Sequence, residues 1–367
     1  MNAHSVTKRP FSHPLFGSSL SNLIQLIWTN GGVSWKYSPQ LLAALFSATA
    51  RLPLSLIEKI TFHDKLKRLK MKPPIFIVGH WRSGTTHICN LLSQSPRFGF
   101  VTPVATGIPH DLLLIGRLLK PWLERSIPPE RLIDRVAVNA DSPQEDEFGL
   151  ANMVPISFLH GLYFPKHFAE NFLKGVFFDK CSKKDIEQWK KASNQYLRKV
   201  YIDQGQRQLL IRNPVYTARI PLLRSMWPGA KFIHIYRNPY RVFPSMRNYF
   251  QKLFPALALQ DYQHVNVDAI IFSTYQRMME TLIGDLAQLP IDEFIEIKYE
   301  QLEERPLAEL EKVYTRLGLS DYEEAKPFFE KYLHSIRDYQ KTQYLQDPTE
   351  VELIRHHWQG IIDHYGY

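Results

Sequence analysis

The segment IFIVGHWRSGTT, residues 75–86, decides the fold. Its first residues, IFIV, form a short and fully apolar run that is typical of a buried parallel β-strand. A loop rich in glycine and hydroxyl side chains follows, and residues 87–95 then carry apolar side chains at helical spacing. Strand, loop and helix in this order predict the first half of a βαβ unit.

Three more apolar runs downstream predict further strands, with helical patterns between them. The strands are predicted at 75–79, 208–212, 231–237 and 294–300. Helices are predicted around 109–120, 144–153, 183–203, 217–227 (with Pro221 in the first turn) and 238–250, and over most of 306–365. This alternation predicts an α/β fold, a P-loop-type parallel sheet flanked by helices.

The first 72 residues differ from the rest because they contain helical patterns without a strand. They end in a basic stretch, HDKLKRLKMK, and Pro73-Pro74 stop the helix. We therefore predict a helical N-terminal extension, 1–72, packed on a main domain, 73–367. Its helices are amphipathic, and no run reaches the ~18 apolar residues of a membrane span. We expect them to pack on the domain, while peripheral contact with a membrane is the alternative.

Charge and cysteine content indicate which classes of partner and which cellular compartment to expect. The chain has 367 residues and a formal net charge of +9, which suits anionic partners. The basic residues are scattered and no recognition motif appears, so we expect no nucleic-acid partner. The two cysteines, Cys89 and Cys181, form no CxxC pair, and no signal peptide opens the chain. These features predict a reducing, cytoplasmic location, with Cys89 as a buried structural thiol. The oligomeric state is not indicated.

The loop after the first strand has the spacing of a phosphate-binding P-loop. Gly79 and Gly84 stand at the two glycine positions, but Thr85 occupies the place of the usual lysine. The loop still suits an anion because its N–H groups and the following helix N-terminus carry partial positive charge. Arg82 supplies a cation, and Ser83 and Thr86 add hydroxyls. A ligand with one 5′-phosphate and one transferable group fits this set better than a metal-bound triphosphate.

A second anion site is predicted after the strand at 231–237. Arg237 ends this strand, and Ser245 lies eight residues further on, in the next helix. Strand ends in such sheets face the ligand crevice. An arginine there can bind a phosphate with two hydrogen bonds, and a serine hydroxyl can add a third. The two motifs together indicate a nucleotide with two separated phosphates.

These two motifs resemble those of the sulfotransferases that use 3′-phosphoadenosine 5′-phosphosulfate (PAPS). The form RSGTT (82–86) looks like the branch that includes tyrosylprotein sulfotransferases and bacterial enzymes, and the resemblance covers about 75 to 345. It implies PAPS as co-substrate, no metal, and donor binding by Trp81, Arg82, Ser83, Gly84, Thr85, Thr86, Arg237, Ser245 and, in the tail segment RDYQKTQY (337–344), Lys341. The segment 210–216 is similar to the family's K-[ST]-P stretch, with Arg212 and Asn213 at the Lys and Ser/Thr positions.

The resemblance also implies in-line transfer of the sulfuryl group to a hydroxyl or amine of a small-molecule acceptor. Arg82 and Arg212 are the cations expected to stabilise the developing negative charge. A general base is needed, and the acidic stretch 145–147 offers Glu145 or Asp146, with His110 as a lesser candidate. The same stretch also suits an ordinary helix start. Tyr and Phe residues over 148–178 are expected in the core, although some could line an apolar or aromatic acceptor pocket.

Three alternatives remain open on the sequence alone. A nucleotide kinase or NTPase would need lysine at position 85 and an aspartate for Mg²⁺ at a strand end, where the chain has Arg212 and Arg237. A nucleic-acid-binding protein would explain the net charge. A PAPS-binding protein without a competent base would explain why the acidic residue that tyrosylprotein sulfotransferases carry near position 102 is missing.

Overall fold

The structure is a computed structural model that describes residues 13–124, 139–337 and 347–367. The first part contains α1 (Leu20–Thr29), α2 (Ser38–Arg68), β1 (Ile75–Val78), α3 (Thr85–Leu92), β2 (Phe98–Phe100), α4 (Pro103–Gly107) and α5 (Leu112–Glu124). The middle contains α6 (Glu147–Ala151), α7 (Leu159–Tyr163), α8 (Phe168–Phe177), α9 (Lys183–Asp203), β3 (Gln208–Arg212), α10 (Ile220–Met226) and β4 (Lys231–Tyr236). The last part contains α11 (Pro239–Leu257), α12 (Val267–Leu286), β5 (Phe294–Lys298), α13 (Tyr299–Glu304), α14 (Pro306–Arg316), α15 (Tyr322–Ser335) and α16 (Pro348–Tyr365).

The five strands form one parallel sheet in the order β2-β3-β1-β4-β5. In β1, Ile75 and Ile77 belong to the core on one face, while Phe76 and Val78 belong to the core on the other. Burial on both faces explains why the strand is an unbroken apolar run. Because all strands are parallel, the loops after β1, β3 and β4 meet at one edge of the sheet.

The predicted α/β fold is confirmed, and local sequence signals explain several helix ends. Ser182 and Asp185 form a capping box at the start of α9, which spans the predicted 183–203. Pro221 lies in the first turn of α10, as predicted. The aromatic segment 148–178 contributes core residues, including Phe158, Phe168 and Phe172, so the expectation of core packing is confirmed.

Three sequence predictions need correction. The three-residue strand β2 was not predicted, and the helix predicted at 144–153 extends only over Glu147–Ala151. Residues 144 and 145 are instead extended, because Gln144 N–H donates to the Val101 carbonyl (2.8 Å) and Glu145 forms a parallel bridge with Arg212. The third correction concerns the N-terminal helices: α2 is long enough and apolar enough to cross a membrane by length and composition.

The N-terminal helices share a core with the rest of the chain. Leu23 and Leu26 of α1 and Ala44 and Ala48 of α2 are buried in the same cluster as the sheet residue Phe76. The contacts fit an extension packed on a main domain, and the boundary at residue 72 stays a prediction.

Candidate active site

The loop after β1 contains two residues with a left-handed backbone conformation. Arg82 and Gly84 have φ values of 69° and 105°, in the left-handed region. Alternation of left-handed with ordinary backbone conformations can form a concave nest of N–H groups that suits an anion. The Gly79 N–H bonds Thr217 Oγ1 (2.8 Å), and Ser83 Oγ donates to the His80 carbonyl (2.7 Å), which fixes both ends of the turn.

Gly84 cannot carry a side chain in this arrangement. A Cβ atom at this position would lie 2.2 Å from Cδ2 of Tyr299, far inside contact distance. Gly84 also directly precedes α3, so the first amides of that helix, at Thr85 and Thr86, complete the loop. The close packing of Tyr299 holds the loop at a fixed distance from the end of β5.

The two predicted anion motifs meet in space. Arg82 Nε donates to Ser245 Oγ at 2.9 Å, and Arg237 Nη1 donates to the Arg82 carbonyl at 3.3 Å. The Arg237 guanidinium also lies over the Tyr299 ring, 4.3 Å from its centroid. Two cations and one buried hydroxyl therefore converge beside the loop.

Trp81, predicted as a donor-binding residue, has its side chain in the core. Its ring packs against Phe158 and Phe172, with centroid distances of 5.0 and 5.6 Å, and the residue is buried. Only its backbone can face a ligand held by the loop. Lys341, also predicted to bind the donor, lies outside the described residues.

Glu145 lies beside the loop at the carboxyl end of β3. Its carboxylate accepts from Arg212 Nη1 at 3.1 Å, and the same nitrogen donates to Thr86 Oγ1 at 2.6 Å. The bridge between Glu145 and Arg212 sets this position, because it places the backbone of residue 145 next to the end of β3. Arg212, predicted as a catalytic cation, thus links the phosphate loop to a carboxylate.

Asp146 points away from the loop into a buried polar cluster. Its carboxylate accepts from Asn213 Nδ2 (2.9 Å) and from the Tyr216 hydroxyl, while Glu147 accepts from Asn213 Nδ2 (2.9 Å) and Ser157 Oγ (2.6 Å). Burial, reinforced by the charge of Glu147, raises the pKa of Asp146 to about 7, although the bond from Tyr216 opposes it. Burial likewise raises the pKa of Glu147.

His110 and Cys89 serve as structural groups in their surroundings. His110 Nε2 lies 3.2 Å from the Asn152 carbonyl, and its own carbonyl accepts from Lys199 Nζ (2.8 Å) in the network beneath α2. Cys89 is buried, as predicted, and desolvation raises the pKa of its thiol to about 11. The cysteine is therefore a neutral thiol near pH 7.

A family model for the sulfotransferase family matches residues 73–324, more than half of the chain. The chain belongs to the sulfotransferase family. It is also 31% identical, over 316 residues, to the omega-hydroxy-beta-dihydromenaquinone-9 sulfotransferase Stf3 of Mycobacterium bovis and to its namesake from Mycobacterium tuberculosis. These matches cover 86% of this chain and 80% of each relative.

Solved sulfotransferase structures share the fold. STF9 from Mycobacterium avium superposes with a TM-score of 0.70 at 14% identity, covering 95% of this chain and 96% of that one. STF1 from Mycobacterium tuberculosis superposes with a TM-score of 0.65 at 17% identity, covering 93% and 91%. The protein is thus an enzyme that transfers a sulfuryl group, and the family implies PAPS as its co-substrate. The kinase and nucleic-acid-binding alternatives are set aside.

Several residues of this candidate site were not singled out in the sequence. Tyr299 directly follows a strand, where an aromatic residue looks like ordinary core. Thr217 lies in a short 3₁₀ turn after β3, and only its bond to the Gly79 amide connects it to the loop. Glu147 was part of the acidic stretch, but the stretch alone did not separate its role from those of Glu145 and Asp146.

Proposed function

We propose that the enzyme transfers the sulfuryl group of PAPS to a hydroxyl on an apolar small molecule, with Glu145 as the general base. The contact between Arg82 and Ser245 carries this proposal, because it joins the phosphate loop to the second anion motif in one site. The Stf3 relative, named for an omega-hydroxylated dihydromenaquinone acceptor, supports the choice of a hydroxyl on a long apolar molecule.

The residues at the sheet edge fit a nucleotide with two separated phosphate groups. The amides of 82–86 and the N-terminus of α3 would hold the 5′-phosphosulfate end, since they form a nest that only glycine permits at position 84. Arg237 and Ser245 would hold the 3′-phosphate with charge-assisted hydrogen bonds. Arg82 would lie between the 5′-phosphosulfate end and the 3′-phosphate, because it belongs to the loop and contacts Ser245. Lys341 stays a further proposed donor contact.

Glu145 is the carboxylate best placed to accept the acceptor's proton. When bound, PAPS supplies a sulfuryl group whose S–O bond to the 5′-phosphate breaks as the acceptor oxygen bonds to sulfur. Glu145 would take the hydroxyl proton, and Arg212, bonded to both Glu145 and Thr86, would hold the base beside the loop. Arg212 also places positive charge where the leaving phosphate oxygen becomes more negative.

Asp146 is assigned a positioning role instead of the role of base. Its carboxylate is fully buried and already accepts hydrogen bonds from Tyr216 and Asn213. These bonds fix the start of α6, and the neighbouring Glu145 is thereby held in its extended conformation. The choice between the two carboxylates left open by the sequence therefore favours Glu145.

The proposed location is the cytoplasm, at a membrane surface. Two free cysteines fit a reducing compartment. An acceptor as apolar as a quinone would be concentrated in lipid, and the long apolar helix α2 offers a part of the enzyme that could meet it there.

The proposed donor site is tested by calorimetric titration of the purified enzyme with 3′-phosphoadenosine 5′-phosphate, the spent donor, and with ATP and Mg²⁺. We expect the spent donor to bind and ATP with Mg²⁺ not to bind. Binding of ATP without binding of the spent donor would overturn the donor assignment. Transfer of label from [³⁵S]PAPS to omega-hydroxylated and non-hydroxylated quinones in detergent then tests the acceptor. Labelling that does not depend on the hydroxyl would overturn the acceptor class.

A further inference from the structure

Helix α2 buries charged side chains among small apolar ones and exposes its large apolar side chains, unlike an ordinary surface helix. The side chains that it buries against the protein include Ser47, Arg51 and Glu58. Its outward side exposes a stripe of large apolar residues, here called the apolar face: Leu42, Phe46, Leu52, Leu56, Ile57 and Ile60. Surface helices normally show the opposite pattern, and a contiguous exposed apolar stripe marks an interaction site.

Buried ion pairs fix the rotation of the helix. Arg51 Nη1 lies 2.6 Å from the carboxylate of Asp111, and Glu58 lies 2.6 Å from Lys199 Nζ, all with side chains at most a tenth exposed. Glu58 also accepts from the Leu114 N–H at 2.8 Å. Turning the apolar face inward would break both pairs and leave charges buried without partners, which is strongly unfavourable.

Two indole rings accompany the apolar face at its N-terminal end. Trp35, just before α2, is 89% exposed, and Trp28 on α1 is 87% exposed. Tryptophan is enriched at membrane–water interfaces because its ring is apolar and its N–H group is polar. Exposed rings of this size are otherwise unusual on a water-facing surface.

The C-terminal end of the helix is strongly basic. Between residues 59 and 72 the sequence has six lysines or arginines and one carboxylate, Asp64. Lys59, Lys65, Lys67 and Arg68 are exposed. A cationic segment beside an exposed apolar stripe is complementary to a bilayer that contains anionic lipids.

We propose that the apolar face lies in the interfacial layer of an anionic bilayer, with α2 parallel to the membrane plane. The orientation follows from the ion pairs, because a helix that crossed the bilayer would have to separate Arg51 and Glu58 from Asp111 and Lys199. The charge at one end and the indoles at the other favour a lipid surface over a second copy of this chain, whose identical basic segment offers no complementary charge.

Helix α1 links the N-terminal helices to the short helix that follows the proposed base. Ser18 and Asn22, at the start of α1, donate to the carbonyls of Asn152 and Ala151 at the end of α6 (3.2 and 3.0 Å). Helix α6 has five residues and begins next to Asp146, so it spans only about 7.5 Å. Resting on the proposed function, an enzyme held at the bilayer by α2 would take its apolar acceptor from lipid.

Vesicle flotation of the full-length protein tests the proposal independently of activity. We expect binding to vesicles of phosphatidylcholine mixed with phosphatidylglycerol, and weaker binding to phosphatidylcholine alone. The double variant Phe46→Ser/Ile60→Ser should lower the bound fraction about tenfold or more, because it removes apolar side chains from the buried face. The matched control, Ile291→Ser/Leu353→Ser, replaces exposed apolar residues elsewhere and should bind like the wild type.

Further measurements distinguish binding to a bilayer from the other ways in which the apolar face could be covered. Circular dichroism and binding of 3′-phosphoadenosine 5′-phosphate must be unchanged in the double variant, so that loss of flotation reports the surface and not the donor site. If light scattering shows a wild-type dimer that the double variant converts to a monomer, with no flotation of either, the face is a self-interface and the proposal is overturned. Protein that alkaline carbonate fails to release from vesicles would overturn the in-plane orientation.

Discussion

Arg82 and Ser245 are 163 residues apart in the chain, yet Arg82 Nε donates to Ser245 Oγ at 2.9 Å. The contact exists because β1 and β4 are parallel neighbours, so the loop after one strand meets the helix after the other. Arg237, at the end of β4, bonds the Arg82 carbonyl from the same side. The two anion motifs of the sequence therefore lie side by side at one edge of the sheet.

Replacement of Arg82 by alanine is expected to weaken binding of 3′-phosphoadenosine 5′-phosphate about 10- to 100-fold, the usual cost of losing hydrogen bonds from a charged group. Isothermal calorimetry measures the change. Arg277→Ala is the control, since it removes an exposed arginine that pairs with Asp179 (2.7 Å) on the surface, and it should leave the affinity unchanged. Equal affinities of the Arg82→Ala variant and the wild type would show that the donor binds elsewhere.

Glu145→Gln is expected to lower kcat about 10²- to 10⁴-fold while leaving binding of the spent donor intact, because the amide keeps the shape of the side chain but cannot accept a proton. Rates are measured as transfer of label from [³⁵S]PAPS. Asp141→Asn is the matched control, because this exposed carboxylate pairs only with Lys120 (2.7 Å) among the described salt bridges. Wild-type turnover by the Glu145→Gln enzyme would mean that another group takes the proton.

Gly84→Ala is expected to abolish donor binding and to lower the melting temperature. The new Cβ would lie 2.2 Å from the Tyr299 ring in a backbone conformation that alanine rarely adopts. Gly284→Ala, in the last turn of α12 with open space around it, should be neutral or stabilising by up to about 1 kcal/mol. Thermal unfolding with and without the spent donor distinguishes the two. A Gly84→Ala protein that binds normally would contradict the close packing of the loop.

The sequence predicted those parts of the fold that local pattern controls. The strands β1, β3 and β4 were found because a parallel strand covered on both faces must be largely apolar, whereas β5 is a less buried edge strand that contains Glu296 and Lys298. Strand β2 was missed, since Phe98–Phe100 is three residues long with glycine in the centre and is held by its pairing to β3. A segment this short carries no period from which a strand could be recognised.

The arrangement of the carboxylates could not be read from the sequence. Residues 144–153 have the acidic, proline-flanked start of a helix, but Glu145 bridges the end of β3 instead, and the helix begins later. This pairing involves Arg212, 67 residues further on. The two adjacent carboxylates also differ in their surroundings, because Glu145 borders the loop while Asp146 lies in the interior. The resemblance implied a base, for which this stretch was the best candidate, and only the tertiary contacts favour one residue of it.

The buried carboxylate of Asp146 should make the enzyme less stable as the pH rises. The pKa of Asp146 is raised from 3.8 to about 7, mainly by burial. The folded state therefore keeps a proton between about pH 4 and pH 7 that the unfolded chain has released. The free energy of unfolding should thus fall as the pH rises through this window, by at most about 1.4 kcal/mol per pH unit from this group, and level off above it.

Asp146→Asn tests this assignment, because an amide imitates the protonated acid and does not titrate. Asparagine can still accept from Asn213 and can donate to the Tyr216 oxygen, so the cluster keeps its contacts. Urea unfolding at pH 5 and pH 8 should show a smaller loss of stability in the variant than in the wild type, while Asp141→Asn, at the surface, should follow the wild type. A wild-type-like slope in Asp146→Asn would mean that Asp146 is ionised throughout this range, with the hydrogen bonds from Tyr216 and Asn213 stabilising its charge.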